Sequence, residues 1–170
     1  MRVEDLDPMA AAPPPQGGKN NWFTNGLITG AASVAATTLA LAAYGKAKEG
    51  SPFTPFNAVA HMVFGDEAAR VDGWSPKETL TGFGLHASAV GAWGVLYEAA
   101  ARDVRLPASL ATGALAAGLV YLFDYHVVPE RLRPGFEKRL GPESVAATYV
   151  LLALGLGLSP LWKPEPSKRP

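Results

Sequence analysis

Long apolar blocks alternate with short charged stretches along the chain. The clearest block is Thr79–Ala101, TLTGFGLHASAVGAWGVLYEAAA, which carries only His86 near its start and Glu98 near its end as acid or base. A helix that crosses a bilayer needs about 20 largely apolar residues, so this block is long enough. Three further blocks bring the predicted spans to 22–44, 77–101, 106–128 and 143–162. The first is uncharged between Gly26 and Ala43 and is bracketed by Trp22 and Tyr44, as interfacial aromatics bracket a span. Its Gly26, Gly30, Ser33 and Thr37 make a run of small residues that would let helix backbones approach closely in lipid. A soluble, Ala-rich core helix is the competing reading of this block.

The connections differ in length. Residues 1–20 are acidic and then rich in Pro and Gly, which predicts a disordered tail, and 163–170 reads the same way. The start lacks the basic and then apolar pattern of a cleaved signal, so the first span would serve as an uncleaved anchor. The loop between the first two spans is the longest. Within it, residues 55–70 predict a short amphipathic helix at the membrane interface, with Asn57 and His61 sharing a face at i, i+4. Ser75, Pro76 and Glu78 form a helix start: an N-cap, a proline in the first turn and an acid. The other two connections are short and place neighbours antiparallel. The expected fold is therefore all-α: an integral membrane four-helix up-down bundle, with a membrane domain over 21–162.

Composition changes this picture little. Lys plus Arg and Asp plus Glu are both 15, so no basic surplus points to nucleic acid. Cysteine is absent, which removes disulfides, thiolate metal sites and cysteine nucleophiles. Counted by loop, the basic residues divide almost evenly between the two sides, so the charge rule hardly orients the bundle; cytoplasmic termini are weakly preferred.

Candidate chemistry lies where the ionisable residues meet. Antiparallel packing brings the start of the second span and the end of the third to one membrane face. His86, Asp124 and His126 would lie there, joined by His61 from the interfacial helix. Ionisable groups inside a span are costly and commonly mark function. Imidazole with carboxylate suits a borderline metal, two imidazoles suit haem iron, and a proton relay is a third use. Against this, Asp124 and His126 are two positions apart, so an ideal helix points them to different faces. A structural role for His86, fixing helix register through a hydrogen bond, is the leading reading. Tyr97, on the His86 face, and Tyr125, beside Asp124, are further intramembrane polar candidates, as is Asn57. Glu98 lies about 18 Å deeper than His86 at 1.5 Å per residue, one turn before Arg102, its expected ion-pair partner. No HExxH, P-loop or GxSxG motif supports a catalytic reading.

The run FNAVAHMVFGDEAARVDGWSPKETLTGFGLHASAVGAWGVLYE, followed later by FDYHVVPERLRPGFEKRL, resembles a set of small bacterial inner-membrane proteins of no known activity. The shared pattern is N-x-x-x-H (Asn57, His61), then GD (Gly65, Asp66), TLTG (Thr79–Gly82), and D-Y-x-V-V-P (Asp124, Tyr125, Pro129). This resemblance implies an inner-membrane location and no known activity. The pattern has a second histidine where Ala87 stands here, which weakens a ligand-pair argument.

Three functions are therefore expected in order: a non-enzymatic accessory or scaffold protein that packs against a protein partner or itself; a metal- or haem-binding protein using His61, His86, Asp124 and His126; and a small transporter or channel-like oligomer using Glu98 and Asp124.

Overall fold

The computed structural model describes residues 21–101 and 104–163 and is all-helical. The expectations for residues 1–20 and 164–170, and the Glu98–Arg102 pair, lie outside the described residues. Four longer helices pack side by side: α1 (Trp22–Glu49), α4 (Pro76–Ala101), α5 (Ala108–Leu122) and α6 (Pro142–Gly157). Two short ones, α2 (Thr54–Val59) and α3 (His61–Phe64), lie in the long loop. Two helical stretches, Trp22–Glu49 and Ala108–Val127, are long and apolar enough to cross a membrane. Helix α6 is apolar but shorter, and a 3₁₀ turn at Ser159–Leu161 follows it.

Neighbouring helices run antiparallel, as their contacts show. Thr29 and Thr37 of α1 meet Glu98 and His86 of α4, in reversed order. Ser33 of α1 lies against Gly155 of α6, while Lys48 reaches Glu143. Gly113 of α5 touches Gly157, and Tyr121 touches Tyr149. Glycine makes three of these interfaces close. A Cβ at Gly94 would overlap the Gly30 backbone, and one at Gly113 would overlap the Gly157 backbone. The α4–α5 interface is instead filled by large side chains, with Trp93 edge-on to Phe123 at 5.6 Å.

The loops fold over one end of the helices as a cap. The predicted interfacial helix over 55–70 is corrected here. It is broken into α2, α3 and a 3₁₀ turn at Ala68–Arg70, and Thr54–His61 are all buried. Such burial needs a close seat, and Gly82 of α4 supplies it: a Cβ there would overlap the Phe56 carbonyl. Phe56 and Val59 then join Leu41, Phe136, Leu140 and Val145 in one apolar cluster. Residues 54–61 thus sit against α4 and the 129–141 loop, whereas Val63, Phe64, Asp66, Glu67 and Arg70 beyond them are exposed.

Candidate functional site

Three places hold the buried polar chemistry: a column between α1 and α4, the cap, and a groove between α5 and α6.

The column comes from helical spacing. Thr29, Ser33 and Thr37 recur every four residues on α1 and are fully buried. At one end Thr29 donates to Glu98 Oε1 at 3.1 Å. The second Glu98 oxygen pairs with Lys163 Nζ at 2.6 Å, and the carboxylate is wholly shielded from solvent. This corrects the expectation of a disordered tail from residue 163: Lys163 is held by the buried Glu98. At the other end Thr37 donates its proton to the Ser33 carbonyl at 2.8 Å. His86 Nε2 lies 3.0 Å from the same Thr37 hydroxyl, which ties the imidazole of α4 to α1. Its ring lies edge-on to Phe56 at 6.1 Å. Tyr97, one residue before Glu98, reaches across to α5, with its hydroxyl 3.2 Å from the Ser109 carbonyl and 3.0 Å from Thr112.

The cap occupies Asn57 and His61. Asn57 donates to the carbonyls of Val71 (2.9 Å) and Gly73 (2.8 Å) and accepts from Thr79 at 2.5 Å, so its amide is fully used in closing the loop. His61 Nδ1 donates to the Ala58 carbonyl at 2.8 Å, and Gly135, at φ 89°, packs against the ring. Arg139 gathers Glu49, Asp72 and the Ala69 carbonyl, and Lys138 pairs with Asp66 at 2.6 Å. The hydrogen bond and charge of Lys138 hold the Asp66 carboxyl below the usual carboxylate value. At the start of α4, where the sequence places it, the Ser75 hydroxyl donates to the Glu78 carboxylate and the Ser75 N–H donates to Thr79 Oγ1 at 3.1 Å.

The third place follows from a local irregularity. Residues Phe123–Val127 form a π-helical turn at the end of α5. One such turn adds a residue to the helical repeat and re-aims the side chains around it, and π-turns recur at functional sites. Here Asp124 accepts from Tyr149 at 2.7 Å and Tyr125 donates to Glu137 at 3.1 Å. The exposed His126 ring lies edge-on to Tyr121 at 6.0 Å. The rings of Tyr121, Tyr125 and Tyr149 lie 5.1–6.2 Å apart, centroid to centroid. They close the polar end of a cavity of about 640 Å³ between α5 and α6, floored by Ala117, Gly118 and Ala153.

The predicted histidine–carboxylate cluster is therefore not formed. His61, His86, Asp124 and His126 each have a separate partner, and among the described residues no three His, Asp or Glu side chains group closely enough to hold a metal ion. Helix phase separates Asp124 from His126, and the breaks around α3 turn His61 to its own loop. Sequence reasoning passed over Tyr149, Glu137 and the hydroxyl column. The i, i+4 spacing of Thr29, Ser33 and Thr37 was the available signal, since buried hydroxyls at that spacing must find partners on one neighbouring helix. No family model, curated protein or solved structure matches the chain. The site's own geometry is the ground for a functional reading.

Proposed function

We propose that the chain is a four-span, multi-pass protein of the bacterial inner membrane that acts by binding rather than catalysis, as an accessory protein holding an amphiphile in its α5–α6 groove. The observation that carries this reading is an inverted distribution of polarity. Leu27, Leu39, Leu80, Leu96, Leu115, Leu119, Val150 and Leu154 are exposed on the long helices, whereas Thr29, Ser33, Thr37, His86, Glu98, Ser109 and Thr148 are buried. A water-soluble bundle buries its large apolar residues. Only 22% of the most apolar window in Ala108–Val127 is buried, which argues against a soluble core helix. Lipid reverses the preference, because polar side chains must then find partners inside the bundle.

The groove gives the binding reading its place. A cavity of about 640 Å³ with an apolar floor and hydrogen-bonding groups at one end falls within the size of small-molecule sites. Placed in a bilayer, it would open sideways to lipid. Two measurements test the reading. The protein should stay with membranes through alkaline carbonate extraction and float with them in a density gradient; release into the supernatant would sink it. Purified in a mild detergent, it should retain an amphiphile that Gly118→Leu reduces. Gly118 suits this test because a Cβ there meets no other atom within 4 Å, so the new side chain fills space rather than displacing helices.

A second reading, proton or ion transfer, draws on the α1–α4 column. Ser33 Oγ is buried without a partner between the Glu98 and His86 ends. Proteoliposomes that show no proton flux, or flux unchanged by Glu98→Gln, would remove it.

A further inference from the structure

The groove carries an imbalance of charge. Glu137 lines it and Asp124 lies behind its Tyr149 wall, yet among the described residues neither carboxylate forms an ion pair. Of the cap cations, Lys138 takes Asp66, Arg139 takes Glu49 and Asp72, and Lys48 takes Glu143, while Arg131 and Arg133 of the same loop form no ion pair among the described residues and do not line the groove. No residue lining the groove is a cation. Among the described residues, the two carboxylates are satisfied by tyrosine hydroxyls, from Tyr125 and Tyr149. A neutral donor stabilises a carboxylate less than a charged one does. The same tyrosines supply ring surfaces beside the acid. Aromatic rings with a carboxylate are the chemistry that receives an organic ammonium group, by cation–π attraction and by charge. The remainder of the groove is apolar and floored by small residues, which suits a hydrocarbon chain.

We propose that the α5–α6 groove takes an amphiphile with a positively charged head, the apolar chain lying along Ala114, Gly118 and Ala153 and the ammonium group seated at Glu137 among Tyr121, Tyr125 and Tyr149. The proposal rests on the groove-binding reading above and adds the charge of the ligand to it. An anionic head would meet two uncompensated acids. A neutral head would leave them as they are.

Three probes with one chain separate these cases: lauroylcholine, lauroylglycerol and lauroylglycerol phosphate. Each is added to the full-length protein in maltoside micelles, and the retained probe is counted by native mass spectrometry. Lauroylcholine is expected to be retained about tenfold better than lauroylglycerol, the phosphate least. Glu137→Gln should bring the choline ester down to the level of the neutral probe and leave the neutral probe unchanged. Asp124→Asn should act in the same direction, less strongly. Gly118→Leu should reduce all three, which separates seating in the groove from attraction to an acidic surface. Equal retention of the three probes would overturn the charge assignment and leave groove binding standing. Retention of none would remove groove binding as well. Preference for the phosphate would overturn the proposed occupant. If Glu137→Gln fails to fold, Tyr125→Phe offers a second route: it frees the Glu137 carboxylate from its hydroxyl donor and should keep the preference for the cation.

Discussion

The α1–α4 and α5–α6 helix pairs begin alike and end differently. Each is drawn together at one end by glycine against backbone, Gly94 on Gly30 in the first and Gly113 on Gly157 in the second. At the far end of α1–α4, the compact Thr37 and His86 meet directly, so the interface stays closed along its length. At the far end of α5–α6, Tyr121 stands edge-on to Tyr149 at 5.2 Å between centroids, and a groove opens beside them. Side-chain size thus decides where the helices can touch and where space is left. The closed pair carries its polar groups as internal fastening, and the open pair leaves room for something else.

The largest expected effect falls on the closed pair. Glu98→Ala removes the carboxylate that Thr29 and Lys163 share, leaving a largely buried ammonium unpaired. Breaking such a pair costs about 3–5 kcal/mol, readable as a shift in denaturant-detergent unfolding. A loss under about 1 kcal/mol would show that Lys163 simply reaches out to solvent, and the interior fastening would then be weak. Next, Gly94→Val drives a side chain into the Gly30 backbone and should cost roughly 2–3 kcal/mol in the same assay. Thr37→Val removes the hydroxyl that His86 meets and should cost about 1 kcal/mol, the size of a typical net hydrogen bond. On the open pair, Gly118→Leu should change stability by no more than about 0.5 kcal/mol while blocking the groove. A cost as large as that of Gly94→Val would mean that the two pairs are packed alike after all.

The smallest effect concerns the cap, which locks the far end of both pairs. Lys138 lowers the Asp66 pKa in the folded chain, so the pair stabilises the cap above the ordinary carboxylate pKa of about 4. That contribution fades as pH falls through the lowered folded value. Amide exchange in the 61–72 loop should therefore quicken on acidification below about pH 4, and Asp66→Asn should flatten the change. Faster exchange on raising the pH towards 7, beyond the intrinsic rise, would contradict this direction.

Much of the architecture could be read along the chain, because helices depend on local spacing. Pro76 begins α4 where Ser75 and Glu78 mark a start, and Trp22 begins α1. Lengths were less legible: α1 runs on past Tyr44 to Glu49, since nothing between them breaks a helix before Gly50 at φ 73°. The loop over 55–70 misled because Phe56, Val59, Val63 and Phe64 make a helical stripe whether they face lipid or a protein core. Only the notch at Gly82 decides between these.

By itself, the sequence determined an all-helical chain, its helix starts, and the small-residue faces that make close packing possible. These follow from neighbours within one or two turns. Tertiary structure alone decided that His61, His86 and Asp124 answer to three different partners, and that Glu98 pairs with Lys163, 65 residues away (163 − 98). It also decided that Glu137 and three tyrosines share one groove. The reason is physical: a side chain's partner depends on the rotation and breaks of each helix, and a single π-turn at Phe123–Val127 is enough to redirect them.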